Sequence, residues 1–434
     1  MTQPLLIENA RIIDPASGMD HRGAVLIENG LIADLSTGGP VGVPEGAEVV
    51  NAKGLVLAPG LIDMRVFTGE PGKEYRETLA SAGQAAAAGG VTSFVMMPDT
   101  APPVDDGALV DFLVRRAKAT SVVNILPAAA ITKGLKGEDM TEFGLLREAG
   151  AVCLSDGRKS IQSTALLRTA FSYAANYDMT IVHHLCDTDL AANGVMNEGL
   201  FATILGLMGI PREAETIPLA RDLQLALLTG VRYHAAQIST AYSVELVAAA
   251  KKRSKRITCG VSINNLALNE NDIGRYRTFF KLSTPLRCED ERQAVIDGLR
   301  NGTIDTIHSD HDPQDVEVKR QPFAEASDGA IGLETLLAAA LRLVHSDDVD
   351  IKTVLKAMTT RPAEILGLDS GRIAKGAPAD VILFDLDYPW QVTETQIRSR
   401  SHNTSFEGAR LAGKVMRTIV GGQTVFTHEM ETAP

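Results

Sequence analysis

The chain has 434 residues, 45% of them hydrophobic, so it can bury a large core as two or three domains, or as one barrel with a small appendage. Its 54 acidic and 42 basic residues leave a formal net charge of −12, with no long basic run. This balance argues against nucleic acid or an anionic membrane as the main partner. The apolar stretches are too short or too interrupted to cross a bilayer.

The N-terminal sequence and the cysteines bear on the compartment. The sequence MTQPLLIENA has no charged segment followed by a hydrophobic one, so no secretory signal is expected. The four cysteines are scattered along the chain and form no CxxC pair. Free thiols of this kind are typical of a reduced, cytoplasmic protein.

The predicted secondary structure changes character twice along the chain. Residues 4–58 contain short β-rich runs that Gly, Asn, Asp and Pro interrupt. From about 60 to 360, compact apolar runs ending in polar residues alternate with segments of helical periodicity, such as ALVDFLVRRAKA. Residues near 379–427 return to strand-like sequence. Repeated strand–helix alternation over about 300 residues implies parallel strands, and a (β/α)8 barrel is the favoured closed form.

The predicted fold class is therefore α/β, a (β/α)8 TIM-like barrel with a small β domain built from both chain ends. We expect the barrel at residues 59–364, and the β domain at residues 1–58 plus 365–434. Catalytic groups of such barrels lie at the C-terminal ends of the strands. The residues at those ends are Asp63, Arg65, Phe67, Asp99, Asp156, His184, Asp187, Gln237, Asn264, Asp310 and His311. A single Asp at a strand end is more often a helix cap or turn residue, so the function depends on the whole set.

Longer motifs, in one order along the chain, carry a resemblance to a known family. They are APGLIDM (58–64), GEPGKEYRETLASAGQAAAAGGVTSFVMMPDTAP (69–102), LAANGVMNEG (190–199), RYHAAQISTAYSVEL (232–246), TPLRCEDERQAVIDGLRNGTIDTIHSDHDP (284–313), GAIGLETLL (329–337) and SHNTSFEGARLAGKVMRTIVGGQTVF (401–426). Nearly end to end, the chain resembles the dihydroorotases of pyrimidine biosynthesis, members of the amidohydrolase superfamily. The resemblance implies an amidohydrolase barrel that hydrolyses a cyclic amide at a zinc site.

Three of the family's zinc-ligand positions hold other residues here. The family's His-x-His after the first strand reads Arg65 and Phe67, and the second histidine of its His-x-x-His-x-Ser-Thr motif is Gln237. Phenylalanine has no donor atom, and a permanently charged arginine cannot ligate Zn²⁺. Glutamine is a weak, neutral ligand. These substitutions predict that the usual metal site is lost.

Three other positions match the family. By this resemblance Asp156 corresponds to the metal-bridging acid, His184 to a metal-ligand histidine and Asp310 to the acid that serves as general base. We expect Arg65 to lie beside Asp156 and Asp310, where its charge offsets their repulsion as a structural substitute for metal. The alternative is that Arg65 points into solvent.

The positions that contact substrate in the family are substituted as well. The arginine that binds the substrate carboxylate is replaced by Gly69, and the asparagine of Met-Pro-Asn-Thr by Asp99. The family's Asn-Pro-Pro-Leu-Arg begins here at Ser283, and the last histidine of Asp-His-Ala-Pro-His is Gln314. The sequence therefore predicts that none of the usual substrate-contact side chains is present.

Three functions are compatible with these observations. The first is a catalytically silent dihydroorotase-like chain with no cofactor, which the resemblance connects to structural partners of aspartate carbamoyltransferase and to homo-oligomers. The second is an active dihydroorotase, or a hydrolase of another cyclic amide, with a reduced zinc site. The third is a metabolite-binding module that uses the emptied pocket. The substitutions favour the first.

Overall fold

The computed structural model describes residues 3–38 and 41–429. Its strands are β1 Leu5–Asp14, β2 Met19–Glu28, β3 Leu31–Ser36, β4 Glu48–Asn51, β5 Val56–Pro59, β6 Leu61–Val66, β7 Val91–Met96, β8 Asn124–Ala129, β9 Cys153–Leu154, β10 Thr180–His183, β11 Met196–Asn197, β12 Gly209–Ile210, β13 Arg232–Ala235, β14 Ile257–Ser262, β15 Thr306–His308, β16 Val381–Gln391, β17 Arg410–Val420 and β18 Gln423–Thr427.

The α-helices connect these strands. They are α1 Leu79–Ala88, α2 Gly107–Thr120, α3 Phe143–Glu148, α4 Thr164–Asn176, α5 Thr188–Ala191, α6 Leu200–Leu205, α7 Glu213–Thr229, α8 Ala241–Lys251, α9 Ile263–Ala267, α10 Glu289–Arg300, α11 Val316–Lys319, α12 Leu336–His345, α13 Ile351–Met358 and α14 Thr360–Leu366. Short polar side chains cap several helix starts: Thr78 accepts a hydrogen bond from the Ser81 backbone N–H, and Asp106 accepts one from that of Ala108.

The predicted barrel is confirmed. Its parallel strands follow the order β6, β7, β8, β9, β10, β13, β14, β15. The first and last strands meet where the Phe67 N–H donates to the His311 carbonyl oxygen at 2.8 Å. Every residue of β6 and β7 is buried, as expected of parallel strands that helices cover.

The β domain is a second sheet, with strands in the order β18, β17, β16, β5, β1, β2, β3, while β4 pairs with β1. Both chain ends contribute to it, as predicted, because β5 pairs antiparallel with β16. Hydrogen bonds join this sheet to the barrel: the Gly60 N–H donates to the Asp380 carbonyl oxygen at 2.9 Å, and the Thr418 hydroxyl to that of Ala87 at 2.6 Å. The predicted boundaries at 58/59 and 364/365 stay predictions.

This topology brings the loops after the barrel strands to one end, where the predicted site residues lie. Below them the barrel interior is filled by an apolar cluster that includes Val95, Ala128, Cys153 and Val182. Across residues 3–38 and 41–429, no helix has both the length and the apolar character required to cross a membrane.

Candidate functional site

Arg65, near the end of β6, is one of the largest side chains that the fold buries completely, with 1% of its surface exposed. Its Nε donates to Asp310 Oδ1 at 2.9 Å, and its Nη1 to the Gly157 carbonyl oxygen at 3.4 Å. The expected ion pair with Asp310 is present, so the solvent-facing alternative is wrong. The guanidinium lies between the ends of β6, β9 and β15, among the positions that match the family's zinc ligands.

Asp63, two residues earlier, fastens the first strand to the last. Its Oδ1 accepts from the Arg65 backbone N–H and its Oδ2 from the Ser309 backbone N–H, both at 3.0 Å. Burial raises the pKa of Asp63 to about 6, although these hydrogen bonds oppose the shift. Asp63 therefore positions the backbone on either side of the Arg65–Asp310 pair.

Phe67 lies between two cations. The Cζ atoms of Arg65 and Arg158 are 5.0 Å and 4.5 Å from the centroid of its ring. The ring also packs on the apolar cluster of the barrel interior. A phenyl ring in this place attracts both cations through its π face.

Arg158, which the sequence analysis did not identify, bridges two acids from different strand ends. Its Nε donates to Asp99 Oδ2 at 2.7 Å, and its Nη1 to Asp312 Oδ2 at 2.6 Å. Burial lowers the pKa of Arg158, but the charges of Asp312 and Asp99 outweigh burial and raise it overall. Gln314 joins the group through a 2.8 Å bond from its Nε2 to Asp312 Oδ1. The sequence signal that could have indicated Arg158 was the presence of two acids, Asp99 and Asp312, after two different strands. Buried acids of this kind require a nearby cation.

Asp156, which matches the metal-bridging acid, is held by the loop after β8. Its Oδ1 accepts from the backbone N–H groups of Ile131 at 2.8 Å and Thr132 at 3.0 Å, and its Oδ2 from the Thr132 hydroxyl at 2.6 Å. Burial raises the pKa of Asp156. Arg65 forms its ion pair with Asp310, and near Asp156 it reaches only the adjacent Gly157 carbonyl. Among the described residues Arg65 therefore forms no ion pair with Asp156, and the expectation that its charge offsets this acid as well stays a prediction.

His184, at the end of β10, is buried and faces Arg65. Its Nδ1 lies 3.5 Å from Arg65 Nη2, which is the donor of this pair. Burial lowers the pKa of His184 well below the ordinary value, and the Arg65 charge lowers it further. The ring is therefore neutral at pH 7, with Nδ1 as the acceptor.

Gln237, after β13, belongs to a neutral amide chain. Its Nε2 donates to Asn265 Oδ1 at 3.0 Å, and Asn265 Nδ2 donates to the Pro285 carbonyl oxygen at the same distance. Gln237 Oε1 is buried and has no hydrogen-bond partner within the described part of the chain. Its amide thus connects the loops after β13 and β14 without any charge.

The loop at Gly69 cannot carry a side chain in this conformation. A Cβ atom built there would lie 1.9 Å from the Lys73 carbonyl oxygen and 2.7 Å from that of Glu77. The loop is tied by hydrogen bonds from Lys73 N to Gly69 O at 2.6 Å, and from Gly69 N to Glu77 O at 3.0 Å. Backbone atoms therefore occupy the space that a side chain at the family's substrate-arginine position would need.

A cavity of about 540 Å³ opens beside these groups. Ser283 and Gln314 line it together with His184 and Arg158, whereas Asp99 is engaged by Arg158. On the far wall Arg287 is almost fully buried, and its Nε donates to the Ser239 hydroxyl at 3.0 Å. Three of the four predicted substrate-contact positions thus lie at or beside one cavity. Their roles stay predictions.

The donor set does not fit a zinc centre of the amidohydrolase type. Within residues 3–38 and 41–429, no three His, Cys, Asp or Glu side chains converge as metal ligands. Asp310 is paired with a guanidinium, Asp156 accepts three hydrogen bonds from the loop after β8, and Phe67 offers no donor atom. A zinc site needs three or more protein ligands that point at one position.

The fold and its strand-end site define an amidohydrolase-type barrel. An L-hydantoinase (dihydropyrimidinase) from Arthrobacter aurescens superposes with a TM-score of 0.89 over 98% of this chain and 96% of its own, at 24% identity. A D-hydantoinase superposes with a TM-score of 0.83 over 98% and 95%, at 20% identity. The model described as amidohydrolase family matches residues 299–426.

Sequence relatives place the chain more narrowly. The model described as dihydro-orotase-like matches residues 54–243. A dihydroorotase of Geotalea daltonii is 41% identical over 97% of this chain and 99% of its own length, and one of Pelobacter propionicus is 40% identical over the same shares. A dihydroorotase of Anaeromyxobacter dehalogenans is 39% identical over the full length of both. The chain belongs to the dihydroorotase family.

Proposed function

We propose that this protein does not hydrolyse dihydroorotate, and that it acts in pyrimidine biosynthesis as a structural partner of aspartate carbamoyltransferase. The observation that carries the first part is the buried ion pair between Arg65 and Asp310. In this pair Asp310, the residue at the family's general-base position, binds the Arg65 guanidinium. The pair lies among the positions that match the family's metal ligands.

The chemistry supports this assignment. Hydrolysis of a cyclic amide at neutral pH depends on an activated water and a polarised carbonyl, which a metal supplies in this class of enzyme. Here Asp310 accepts a hydrogen bond from Arg65, and the neutral His184 ring faces the same cation. The loop at Gly69 excludes a substrate-binding side chain. Both activation and substrate binding therefore lack their usual groups.

Metal content and turnover of the purified protein test the proposal. We expect well below one zinc ion per chain after growth with added zinc, and no hydrolysis of dihydroorotate above the uncatalysed background. A dihydroorotase prepared in parallel serves as the positive control. One or two tightly held ions per chain, with turnover that a chelator abolishes, would contradict the proposal.

Restoring the three family histidines separates metal loss from substrate-contact loss. The variant Arg65→His/Phe67→His/Gln237→His should bind zinc more tightly, because it frees Asp310 and adds three donors beside His184. It should remain without useful turnover, since Gly69 leaves no room for a side chain and Asp99 is held by Arg158. Strong dihydroorotase activity in this variant would show that the metal ligands alone decide activity.

The proposed partnership with aspartate carbamoyltransferase depends on the outer surface of the barrel, because the family fold is kept while its site residues are substituted. We expect a hetero-oligomer with aspartate carbamoyltransferase in which this chain is itself at least dimeric, with stable contacts that bury more than about 1,000 Å². Light scattering on the two purified proteins, alone and mixed at micromolar concentration, measures the assembly. Unchanged masses, together with carbamoyltransferase assembly and activity that do not need this chain, would refute it.

A second candidate is an active hydrolase with a reduced metal site. It is favoured by relatives named dihydroorotase that are about 40% identical along nearly the whole chain, and by the presence of Asp156, His184 and Asp310. A changed cyclic-amide substrate suits the substituted cavity better than dihydroorotate does. Zinc-dependent turnover of a panel of cyclic amides would establish this candidate in place of the first.

A further inference from the structure

A second cavity, of about 560 Å³, lies between the barrel and the β domain and shares no lining residue with the cavity at the barrel mouth. Its walls come from β16, β17, β18 and the segment before α12. Aromatic residues make up only 5% of the chain, yet Tyr388, Trp390 and Phe426 all line this cavity, and Trp390 is the single tryptophan. Such a concentration of rings is typical of sites that bind planar ligands.

Two cations in the cavity rest on these rings instead of on carboxylates. Lys414 Nζ lies 3.5 Å from the centroid of the Trp390 ring, and Arg398 Cζ lies 5.2 Å from that of Phe426. Neither side chain forms an ion pair with an acid within the described ranges, although Glu334 and Glu429 also line the cavity. Burial lowers the pKa of Lys414 to about 8, against the attraction of Glu334. Two cations at a concave surface without a carboxylate partner form an anion-binding arrangement.

The framework around the cations is fixed by other bonds. The Glu334 carboxylate accepts from the backbone N–H groups of Arg398 at 2.7 Å and Ser399 at 3.4 Å, so it holds the segment that carries one cation. Trp390 Nε1 donates to the Gly413 carbonyl oxygen at 2.9 Å, next to the residue that carries the other. The backbone that carries Arg398 and Lys414 and the Trp390 ring is therefore preorganised, while the two cationic side chains can move from the rings to a ligand.

We propose that this cavity binds a planar aromatic anion of the size and chemistry of a nucleoside monophosphate. On binding, Lys414 and Arg398 leave the faces of Trp390 and Phe426 and donate hydrogen bonds to the phosphate. The base then packs against these two rings and that of Tyr388. Stacking on an aromatic side chain contributes about 1–3 kcal/mol per base, and arginine forms two parallel hydrogen bonds to a phosphate. This site is independent of the chemistry at the barrel mouth.

The single tryptophan makes the test direct. Titration of the full chain with adenosine monophosphate, and separately with uridine monophosphate, should quench Trp390 fluorescence saturably. Adenosine alone and inorganic phosphate alone should each bind at least tenfold more weakly, since a tenfold change corresponds to about 1.4 kcal/mol of lost contacts. Equal affinity for adenosine and its monophosphate would overturn the proposed anion site, and equal affinity for inorganic phosphate would overturn the proposed base site.

Substitutions assign the binding to this cavity. Lys414→Met and Arg398→Met should each weaken nucleotide binding at least tenfold and leave the weak adenosine binding within about twofold, because the rings remain. Arg115→Met, an exposed change on α2, is the matched control and should change neither. Because Trp390→Phe removes the single tryptophan, its nucleotide binding is measured by calorimetry instead of fluorescence. Circular dichroism checks the fold of every variant.

Two results would overturn the proposal: no saturable signal up to millimolar nucleotide, or a saturable signal that neither cation variant weakens. Zinc content and dihydroorotate turnover are unaffected by either outcome. The failure of this site is thereby distinguishable from failure of the proposed function.

Discussion

The two sides of the barrel mouth accommodate the substitution of the family's metal-ligand residues in different ways. On the side formed by the ends of β6, β7, β9 and β15, acids lie close together. The buried Arg65 and the part-buried Arg158 neutralise them through the Arg65–Asp310 and Arg158–Asp99–Asp312 ion pairs. On the side formed by the ends of β10, β13 and β14, the family's ligand positions His184 and Gln237 hold neutral groups. Here Gln237 replaces the family's histidine ligand, and an amide hydrogen bond to Asn265 suffices.

The difference follows from the charge that each side retains. Buried carboxylates without a cation repel one another, so replacement of their neighbours must supply a compensating charge. A neutral ligand leaves no charge behind when it is replaced, so any buried polar group with a partner is tolerated. We therefore expect substitutions on the charged side to cost more than those on the neutral side.

The largest effect is expected at Arg65. Arg65→Met should lower the free energy of unfolding by about 3–5 kcal/mol, because it leaves the buried Asp310 carboxylate without its cation. Urea denaturation at pH 7 measures this, and Asp310→Asn added to the variant should recover about half of the loss or more. Arg115→Met, in an exposed pair with Asp111, should cost less than about 1 kcal/mol. Equal losses for the two arginine variants would mean that the buried pair contributes no more than an exposed one.

Arg158 should come next. Arg158→Met is expected to cost about 2–4 kcal/mol, since Asp99 and Asp312 lose the cation they share, while the 29% exposure of the arginine side chain lets water replace part of it. A double-mutant cycle with Asp312→Asn should give a coupling energy of about 0.5–3 kcal/mol. Strictly additive effects would mean that the ion pair contributes nothing in solution.

On the neutral side, two substitutions of Gln237, one apolar and one acidic, compare the effect of losing a hydrogen bond with that of adding a charge. Gln237→Leu should cost about 1 kcal/mol, the value of one hydrogen bond to Asn265. Gln237→Glu should cost more at pH 8 than at pH 5, because it places a buried carboxylate where a neutral amide lay. Thermal unfolding of both variants at the two pH values checks this order. A Gln237→Glu variant as stable as Gln237→Leu at pH 8 would show that this side tolerates charge.

The effect expected to be smallest near neutral pH is a pH dependence at His234, at the centre of β13. Burial lowers the pKa of His234 to about 3, so between pH 3 and about 6.5 only the unfolded state holds this proton. Its contribution is complete above pH 6.5 and is lost as the pH falls, by about 1.4 kcal/mol per pH unit. In His234→Gln, the slope of unfolding free energy against pH between about 4 and 6 should be shallower by about one proton. An unchanged slope would mean that the folded protein protonates this ring.

Some of the site could be predicted because it depends on local pattern. Strand ends in a barrel follow from hydrophobic periodicity, and this placed Arg65, His184, Gln237 and Asp310 at one mouth. Arg158 was missed because its partners are far away along the chain, 59 residues before it at Asp99 and 154 residues after it at Asp312. From sequence alone, a charged residue in a loop is expected to be exposed. Only the tertiary structure shows that two acids lie beside Arg158.

The sequence by itself determined the architecture, the family and the loss of donor atoms at Phe67, since these depend on periodicity, motif order and side-chain chemistry. Only the tertiary structure decided how the remaining charges are arranged. In the folded chain Asp156 accepts hydrogen bonds from the loop after β8, and Asp310 pairs with Arg65. Backbone atoms of the loop that contains Gly69 lie close to this residue. Such choices depend on distances of 3 to 4 Å between residues that are remote along the chain, which no local pattern encodes.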